Sequence, residues 1–350
     1  MTRAVVMAGG RSSRMRASRG EGRHKGLLPV LGVTLLERNV SALLSAGVGD
    51  VVLAVAEGEG ELLEFGRTRC RALVEAWGER WECFVERRPL GTIGAAREVA
   101  GEGDLLVVNV DNLTALDLAG FVAHHRATGA AMTVATHWEP FTMPFGEVTL
   151  TADGMIDAIT EKPTKRYHTS SGTYVLSAEA CAAIPPGQPL GAPSLWEILR
   201  ATGRPVAAFE HESAWIDVND AAALARAERL VLGRADEFEL WSGAPDREVN
   251  AVLAVSGDGA AWLARGENGG ARYPGMWELV ERAPGPDARP LIRFDDPHPE
   301  TRTRVRYRVF AAPEGELPPR GGWVSAADPA LSPPARRALE AARVAREASA

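Results

Sequence analysis

The chain has 350 residues, enough for two domains of ordinary size, which excludes a peptide, a knottin or a simple coiled coil. With 45% hydrophobic and 24% charged residues its composition is that of a soluble globular protein, and 36 Gly with 23 Pro promise many turns. A net charge of −7 argues against a general binder of nucleic acid or anionic membrane, so any polyanion site must be local.

Cys70, Cys83 and Cys181 are too few and too scattered for a disulfide framework or a zinc ribbon, which fits a reducing cytoplasm. The apolar stretch Ala4 to Ala8 is far shorter than a signal-peptide core, and no segment approaches the ~20 apolar residues of a membrane span. No membrane or nucleic-acid partner is therefore expected.

The first part of the chain alternates short apolar runs with helical patterns, the signature of a mainly parallel sheet covered by helices. Strands are expected at Ala4–Ala8, Val51–Val55, Leu105–Val110, Met132–Thr136, Gly146–Leu150, Gly172–Leu176 and Val206–Glu210. The clearest early helix opens at Thr34, where Thr34 and Glu37 form a T-x-x-E capping box, and stops at Gly47. Further helices are expected over Leu116–Thr128, Ala178–Ile184, Ser194–Ala201 and Ala221–Leu232, the last capped by Asn219 or Asp220. Within Leu116–Thr128, His124 and His125 point in different directions and read as surface histidines.

From about Asp236 the texture changes to short β-rich runs, Glu248–Val255, Ala260–Ala264, Leu291–Phe294 and Arg304–Ala311, separated by Gly/Pro turns. A boundary near 235–246 divides residues 1–235 from a smaller α+β domain over 236–350, which closes with a helix after Ser332-Pro333-Pro334. The fold class is thus α/β, a Rossmann-like mainly parallel sheet with helices on both faces, plus that smaller domain.

Directly after the first strand comes Met7-Ala8-Gly9-Gly10-Arg11-Ser12-Ser13-Arg14-Met15, followed by His24-Lys25-Gly26-Leu27-Leu28-Pro29-Val30. Small residues there let backbone N–H groups approach an anion, and Arg14 and Lys25 supply positive charge. Six Lys or Arg and one acid lie between Arg11 and Lys25 in an otherwise acidic chain, the place for a nucleoside triphosphate. The pattern is neither G-x-x-x-x-G-K-[ST] nor G-x-G-x-x-G, which removes the main support for P-loop and dinucleotide-binding readings.

These residues resemble the sugar-1-phosphate nucleotidyltransferase family, and further matches follow in that family's order over roughly residues 4–232. The resemblance implies that Ala8, Gly9, Gly10, Arg11, Ser12 and Ser13, with Pro89, Gly91 and Thr92 of Pro89-Leu90-Gly91-Thr92-Ile93-Gly94-Ala95, bind the nucleotide. Gly146, Glu161, Lys162, Ser171 and Gly172 would bind the sugar phosphate, Glu161 accepting from hydroxyls and Lys162 meeting the phosphate. Asp111, just past an apolar strand, and Asp217 of Trp215-Ile216-Asp217-Val218-Asn219 would hold Mg²⁺, a hard cation that takes oxygen ligands. Arg14 and Lys25 take the catalytic roles, on the leaving pyrophosphate and on the α-phosphoryl group.

The chain departs from the commonest sugar pattern twice. Arg11-Ser12-Ser13 replaces the usual Gly-containing turn, as in molybdopterin-type relatives, and Ser170-Ser171-Gly172 stands where Asn-Ala-Gly is usual. An unusual sugar or a cyclitol 1-phosphate then becomes a candidate substrate. The Leu-Gly-Thr stretch leans toward the mannose-1-phosphate guanylyltransferases, hence toward GTP. Two alternatives stay open: transfer of CMP or GMP to another phosphorylated acceptor, phosphocholine- or molybdopterin-like, and a catalytically silent nucleotide-sugar sensor or assembly subunit.

In the second domain, Tyr273–Leu279, Arg304–Ala311 and Gly322–Ser325 faintly resemble a Nudix-type fold. The Glu-rich box that hydrolysis requires is missing. The domain therefore reads as a lid, a regulatory module or a dimerisation module that would make a homodimer.

Overall fold

The structure, a computed structural model, describes residues 2–9, 23–234, 237–238, 247–256, 259–265, 276–282, 290–297, 304–312, 317, 321–328 and 330–349. In chain order the first part runs β1 (Arg3–Ala8), a 3₁₀ turn (Lys25–Leu27), β2 (Pro29–Val30), β3 (Val33–Thr34), α1 (Leu35–Ser45), β4 (Asp50–Ala56), α2 (Gly60–Phe65), a π turn (Gly66–Cys70), α3 (Arg71–Ala76) and β5 (Arg80–Glu86). Next come α4 (Ala95–Val99), β6 (Leu105–Asn109), β7 (Asn112–Thr114), α5 (Leu118–Thr128), β8 (Met132–Thr142), β9 (Glu147–Leu150), β10 (Ile156–Thr160) and β11 (Thr164–Leu176). The part ends with α6 (Ala178–Ala183), α7 (Ala192–Ala201), β12 (Val206–Glu210), β13 (Trp215–Asp217) and α8 (Ala221–Gly233).

Seven of these strands form one sheet in the order β12-β8-β11-β6-β1-β4-β5. β1 pairs parallel with both β4 and β6, while β11 runs antiparallel to β6 and β8, so the sheet is mainly parallel as the sequence predicts. β1 is an interior strand, between β6 and β4, and its Ala4, Val5 and Val6 are buried on both faces, as an interior parallel strand requires. The chain leaves β1 for β4 on one side and later returns to β6 on the other. That reversal opens a crevice at the carboxyl ends of β1 and β6, where open α/β sheets bind ligands.

The capping box at Thr34 forms as its local chemistry dictates: Thr34 Oγ1 accepts from Glu37 N at 3.1 Å and Thr34 N donates to Glu37 Oε2 at 3.2 Å. Asp220, not Asn219, caps α8 through Ala223 N. The reading of His125 as a surface residue is corrected: it is 3% exposed, its Nδ1 2.8 Å from Thr133 Oγ1, because the inward face of α5 packs on β8.

The second part comprises β14 (Arg247–Leu253), β15 (Ala261–Arg265), β16 (Trp277–Glu278), β17 (Val280–Glu281), β18 (Ile292–Pro297), β19 (Arg304–Ala311), β20 (Gly322–Val324) and α9 (Pro333–Ser349). Its strands make a sheet ordered β17-β14-β19-β18 and another ordered β16-β15-β20. Most of the expected boundary near 235–246, and Tyr273, Pro274 and Gly275, lie outside the described residues. One hydrophobic cluster joins Leu28, Val30 and Leu31 of the first part, through Val218 and Leu224, to Val249, Val309 and Ala338 of the second. The C-terminal region therefore buries its apolar face on the turn and hairpin that follow Lys25. Among the described residues no helix is long and apolar enough to cross a membrane.

Candidate active site

A cleft of about 330 Å³ lies at the crevice between β1 and β6. Seven of the residues singled out in the sequence line it: Ala8 and Gly9, then Lys25, then Pro89, Gly91 and Thr92, and finally Asp111. Gly10, Arg11, Ser12, Ser13 and Arg14 lie outside the described residues.

Each element delivers its side chain for a local reason. β1 ends at Ala8, and β6 hands over at Asn109 to the short step that carries Asp111. Gly91 adopts φ +79, and a Cβ there would stand 2.5 Å from Leu190 O. Only glycine lets the loop lie this close to the 190 segment, which is locked to it by Leu190 N donating to Leu90 O and Ile93 N donating to Leu190 O.

Lys25 Nζ donates to Asp111 Oδ2 at 3.2 Å and also to Asn219 Oδ1. Asn219 in turn donates from Nδ2 to Asp217 Oδ2. β13 pairs with β7, Asp217 opposite Asn112, so Asp217 arrives beside Asp111 although 106 positions separate them in the chain. Burial raises the Asp217 pKa, the Asp111 charge raises it further, and Lys25 and Asn219 oppose the rise. Asp217 Oδ1 is buried without a hydrogen-bond partner among the described residues. Two carboxylates held close enough to repel, one with an orphaned oxygen, suit a hard divalent cation.

Of the acceptor-side candidates, Ser171 and Gly172 stand next to this centre, while Gly146 and Glu161 lie against each other. Glu161 Oε2 lies 3.3 Å from the position of a Cβ on Gly146. Both Glu161 and Lys162 are exposed, and Lys162 holds φ +44, a left-handed conformation that costs a non-glycine residue and recurs at ligand sites. Gly172 has φ +71 and stands against Asn109 and Asn112. Ser171 differs from the expectation that its side chain meets the sugar phosphate. It is fully buried, its hydroxyl enclosed between His137 and His211.

Glu86 escaped the sequence reading because Glu86-Arg87-Arg88 looks like a solvated charge run. It is 2% exposed at the carboxyl end of β5, with Oε2 accepting from Leu90 N at 3.0 Å and Oε1 buried without a partner among the described residues. A Cβ on Gly9 would lie 2.5 Å from both of its carboxylate oxygens, so Gly9 is the space the carboxylate fills. Burial raises its pKa, with the Leu90 N–H pulling the other way. The available signal was its position, at the end of a parallel strand and just before the Pro-Leu-Gly turn.

A parallel-sheet switch point carrying a lysine and a carboxylate pair defines an α/β protein of the class that handles nucleotide phosphates. Residues 3–233 match the family model described as nucleotidyl transferase, and the chain belongs to that family. The bifunctional protein GlmU of Exiguobacterium sibiricum is 28% identical over 262 residues, covering 69% of this chain and 55% of that protein. GlmU of a second Exiguobacterium is 30% identical with the same coverage. The chain spans about half the length of these curated relatives.

Two solved structures share the fold. One, a Bacillus anthracis protein described as a glucose-1-phosphate thymidylyltransferase and solved with sucrose, has a TM-score of 0.51 at 18% identity, covering 66% of this chain and 95% of its own. HddC from Yersinia pseudotuberculosis has a TM-score of 0.50 at 20% identity, covering 65% and 99%.

Proposed function

We propose that the protein transfers the nucleotidyl group of a nucleoside triphosphate, GTP by preference, to a sugar or cyclitol 1-phosphate and releases pyrophosphate. The observation that carries this reading is the chain of contacts from Asp111 through Lys25 and Asn219 to Asp217, beside the nucleotide cleft of a nucleotidyl transferase family member. An oxygen of the acceptor phosphate attacks the α-phosphorus in line, the bond from that phosphorus to the bridging oxygen breaks, and both electrons leave with pyrophosphate. No proton has to move, so the protein's contribution is orientation and charge.

Lys25 is half-buried at the cleft wall and donates to whichever anion is nearest; a triphosphate would compete with Asp111 for its ammonium. The sequence supplies Arg14 for the leaving group. Asp111 and Asp217 would hold Mg²⁺, which when bound supplies neutralisation of phosphate charge.

The preference for GTP is supported by Glu86. A carboxylate accepts hydrogen bonds and donates none, and guanine offers two adjacent donors, its N1–H and N2–H₂, whereas uracil and thymine offer one donor between two carbonyls. Its Oε1, which has no hydrogen-bond partner among the described residues and is closed to solvent beside Gly9, is the acceptor that such a base would uncover and satisfy.

The test is pyrophosphate release by the whole chain with Mg²⁺, each common nucleoside triphosphate being paired with a panel of hexose and cyclitol 1-phosphates. Release requiring one pair, and lost in Asp217→Asn, is expected. Nucleotide binding without release for any pair would overturn the reading and favour the sensor alternative.

A further inference from the structure

β11 keeps register with β8 from Thr164 to Ser170 and again from Tyr174, and Ser171 sits in the irregularity between. Such interruptions re-aim a strand locally. The Ser171 carbonyl accepts from Asn112 Nδ2 at 2.6 Å and from Trp215 Nε1 at 2.8 Å. Asn112 adjoins Asp111 and Trp215 lies two residues before Asp217, so one carbonyl ties the Ser170–Gly172 segment to both segments that carry the carboxylates.

The Ser171 hydroxyl is 2.8 Å from His137 Nδ1 and 2.8 Å from His211 Nε2. The two histidines are 7% and 8% exposed. A hydroxyl has one proton, so it donates to one ring nitrogen and accepts from the other. One of the two facing nitrogens is therefore protonated and the other bare; since one is an Nδ1 and the other an Nε2, the two neutral rings are the same tautomer, both Nδ1–H or both Nε2–H. Protonating the bare nitrogen makes both rings donors to the same oxygen and leaves the hydroxyl proton without an acceptor in a dry interior, where an unmade hydrogen bond is costly.

We infer that His137 and His211 are positioning residues for the acceptor half of the site. As a neutral pair they clamp Ser171, and through it they set Ser170 and Gly172 against Asp111 and Asp217. The kinetic consequence rests on the proposed sugar-phosphate transfer; the tautomer consequence does not.

The groups facing the pair define when it is neutral. His137 meets Glu139 of its own strand at 3.5 Å, Thr169 of β11 with Oγ1 3.3 Å from its Nε2, and the Trp215 ring of β13 at 4.4 Å between centroids. The charge of His168 on β11 acts on it as well. His211 faces His137 and the Ser213 backbone. Burial holds both rings below the ordinary histidine value; Glu139 opposes this at His137, and His137 reinforces it at His211.

Two measurements on the full chain test the assignment. In ¹⁵N-imidazole spectra of the unliganded protein, with the seven histidines assigned by substitution, the expected result is two neutral rings at pH 7 with opposite protonation at the nitrogens facing Ser171. A charged ring, or equal protonation at those two nitrogens, overturns it. In kinetics, Ser171→Ala and His211→Leu are expected to raise KM for the acceptor 1-phosphate about tenfold, the worth of one hydrogen bond, with KM for GTP unchanged. His211→Gln, which retains a polar atom near Nε2, should recover most of the loss. Wild-type acceptor KM should also rise below pH 6.5, a limb the Ser171→Ala variant lacks. Parallel changes in both KM values, or no change in either, would overturn the positioning role. Should no acceptor in the panel support release, the transfer reading fails on that result alone, while the spectra still decide the histidine pair.

Discussion

Arg337 in the last helix donates from Nη2 to Glu37 Oε1 at 3.1 Å across a separation of 300 residues. The same oxygen accepts from Arg69 Nε at 2.7 Å, and Glu37 is also the N3 member of the capping box that opens α1. Both members of the long-range pair are buried. Burial pushes the Glu37 pKa up, but Arg337 and Arg69 outweigh it and hold it at about 2. The C-terminal region is thereby fastened to the first turn of the helix that follows the Lys25 segment.

A carboxylate whose folded pKa lies below its unfolded value stabilises the protein fully above the unfolded pKa, and that contribution is lost as pH falls through the folded one. For Glu37 the window runs from 4.5 down to about 2. Arg337→Met takes one guanidinium partner from the buried carboxylate, and breaking such a pair is expected to cost about 3 kcal/mol in urea unfolding at pH 7. The gap to wild type should narrow as pH is lowered toward 2.5. A gap independent of pH would assign the effect to lost packing of the arginine stem instead.

Asp217 has the opposite sign. Its pKa is raised by burial and by Asp111, so its ionised form destabilises the free protein at neutral pH and stability is regained as pH falls through the raised value. Asp217→Asn is therefore expected to keep or raise Tm while lowering turnover at least ~100-fold, since it removes a carboxylate that would hold Mg²⁺ beside the phosphates. The same substitution should abolish any Mg²⁺-dependent rise in Tm. A variant with wild-type turnover would remove Asp217 from the site.

Local chemistry was readable from sequence wherever the determinants are neighbours: the Thr34–Glu37 box, the Asp111 that follows an apolar strand, and Gly9 directly after β1. What sequence could not show is what folding brings together from afar. His137 on β8, Ser171 on β11 and His211 just past β12 meet only in the fold; the two histidines carry no signal of their own in the sequence, and Ser171 was marked only through the family resemblance. β5 went unread because Arg80-Trp81-Glu82-Cys83-Phe84-Val85-Glu86 mixes charge with apolar residues, which hides an edge strand of a parallel sheet and with it Glu86. The shared core of the two parts was hidden because Leu28, Val30 and Leu31 look complete as a hairpin until the C-terminal strands cover them.

Gly91 tests whether the base-side loop depends on backbone approach. Alanine there meets both the strain of φ +79 and a Leu190 oxygen 2.5 Å from its Cβ. Each penalty is of the order of 1–3 kcal/mol, so Gly91→Ala is expected to lower stability by about 3 kcal/mol and to abolish the nucleotide-induced Tm shift. Retention of both would mean that the 190 segment yields without disturbing the cleft.

Glu86→Gln isolates base selection from catalysis, because Glu86 sits on the edge strand β5, whereas Asp111 follows β6, and because Glu86 differs from glutamine only in replacing an acceptor oxygen by a donor amide. With GTP, one of the two donors of the base then meets an N–H, and kcat/KM is expected to fall at least ~10-fold, the cost of one lost hydrogen bond. With UTP or dTTP, whose bases present a carbonyl beside the N–H, the amide pairs both ways and kcat/KM should rise. Removing the ionisable group also removes the pH dependence that its raised pKa imposes: wild-type GTP use should weaken at acid pH as the carboxyl takes up a proton, and the variant should not. Equal losses for every triphosphate would show Glu86 to be a support for the Gly9 and Leu90 backbone, with the base read elsewhere.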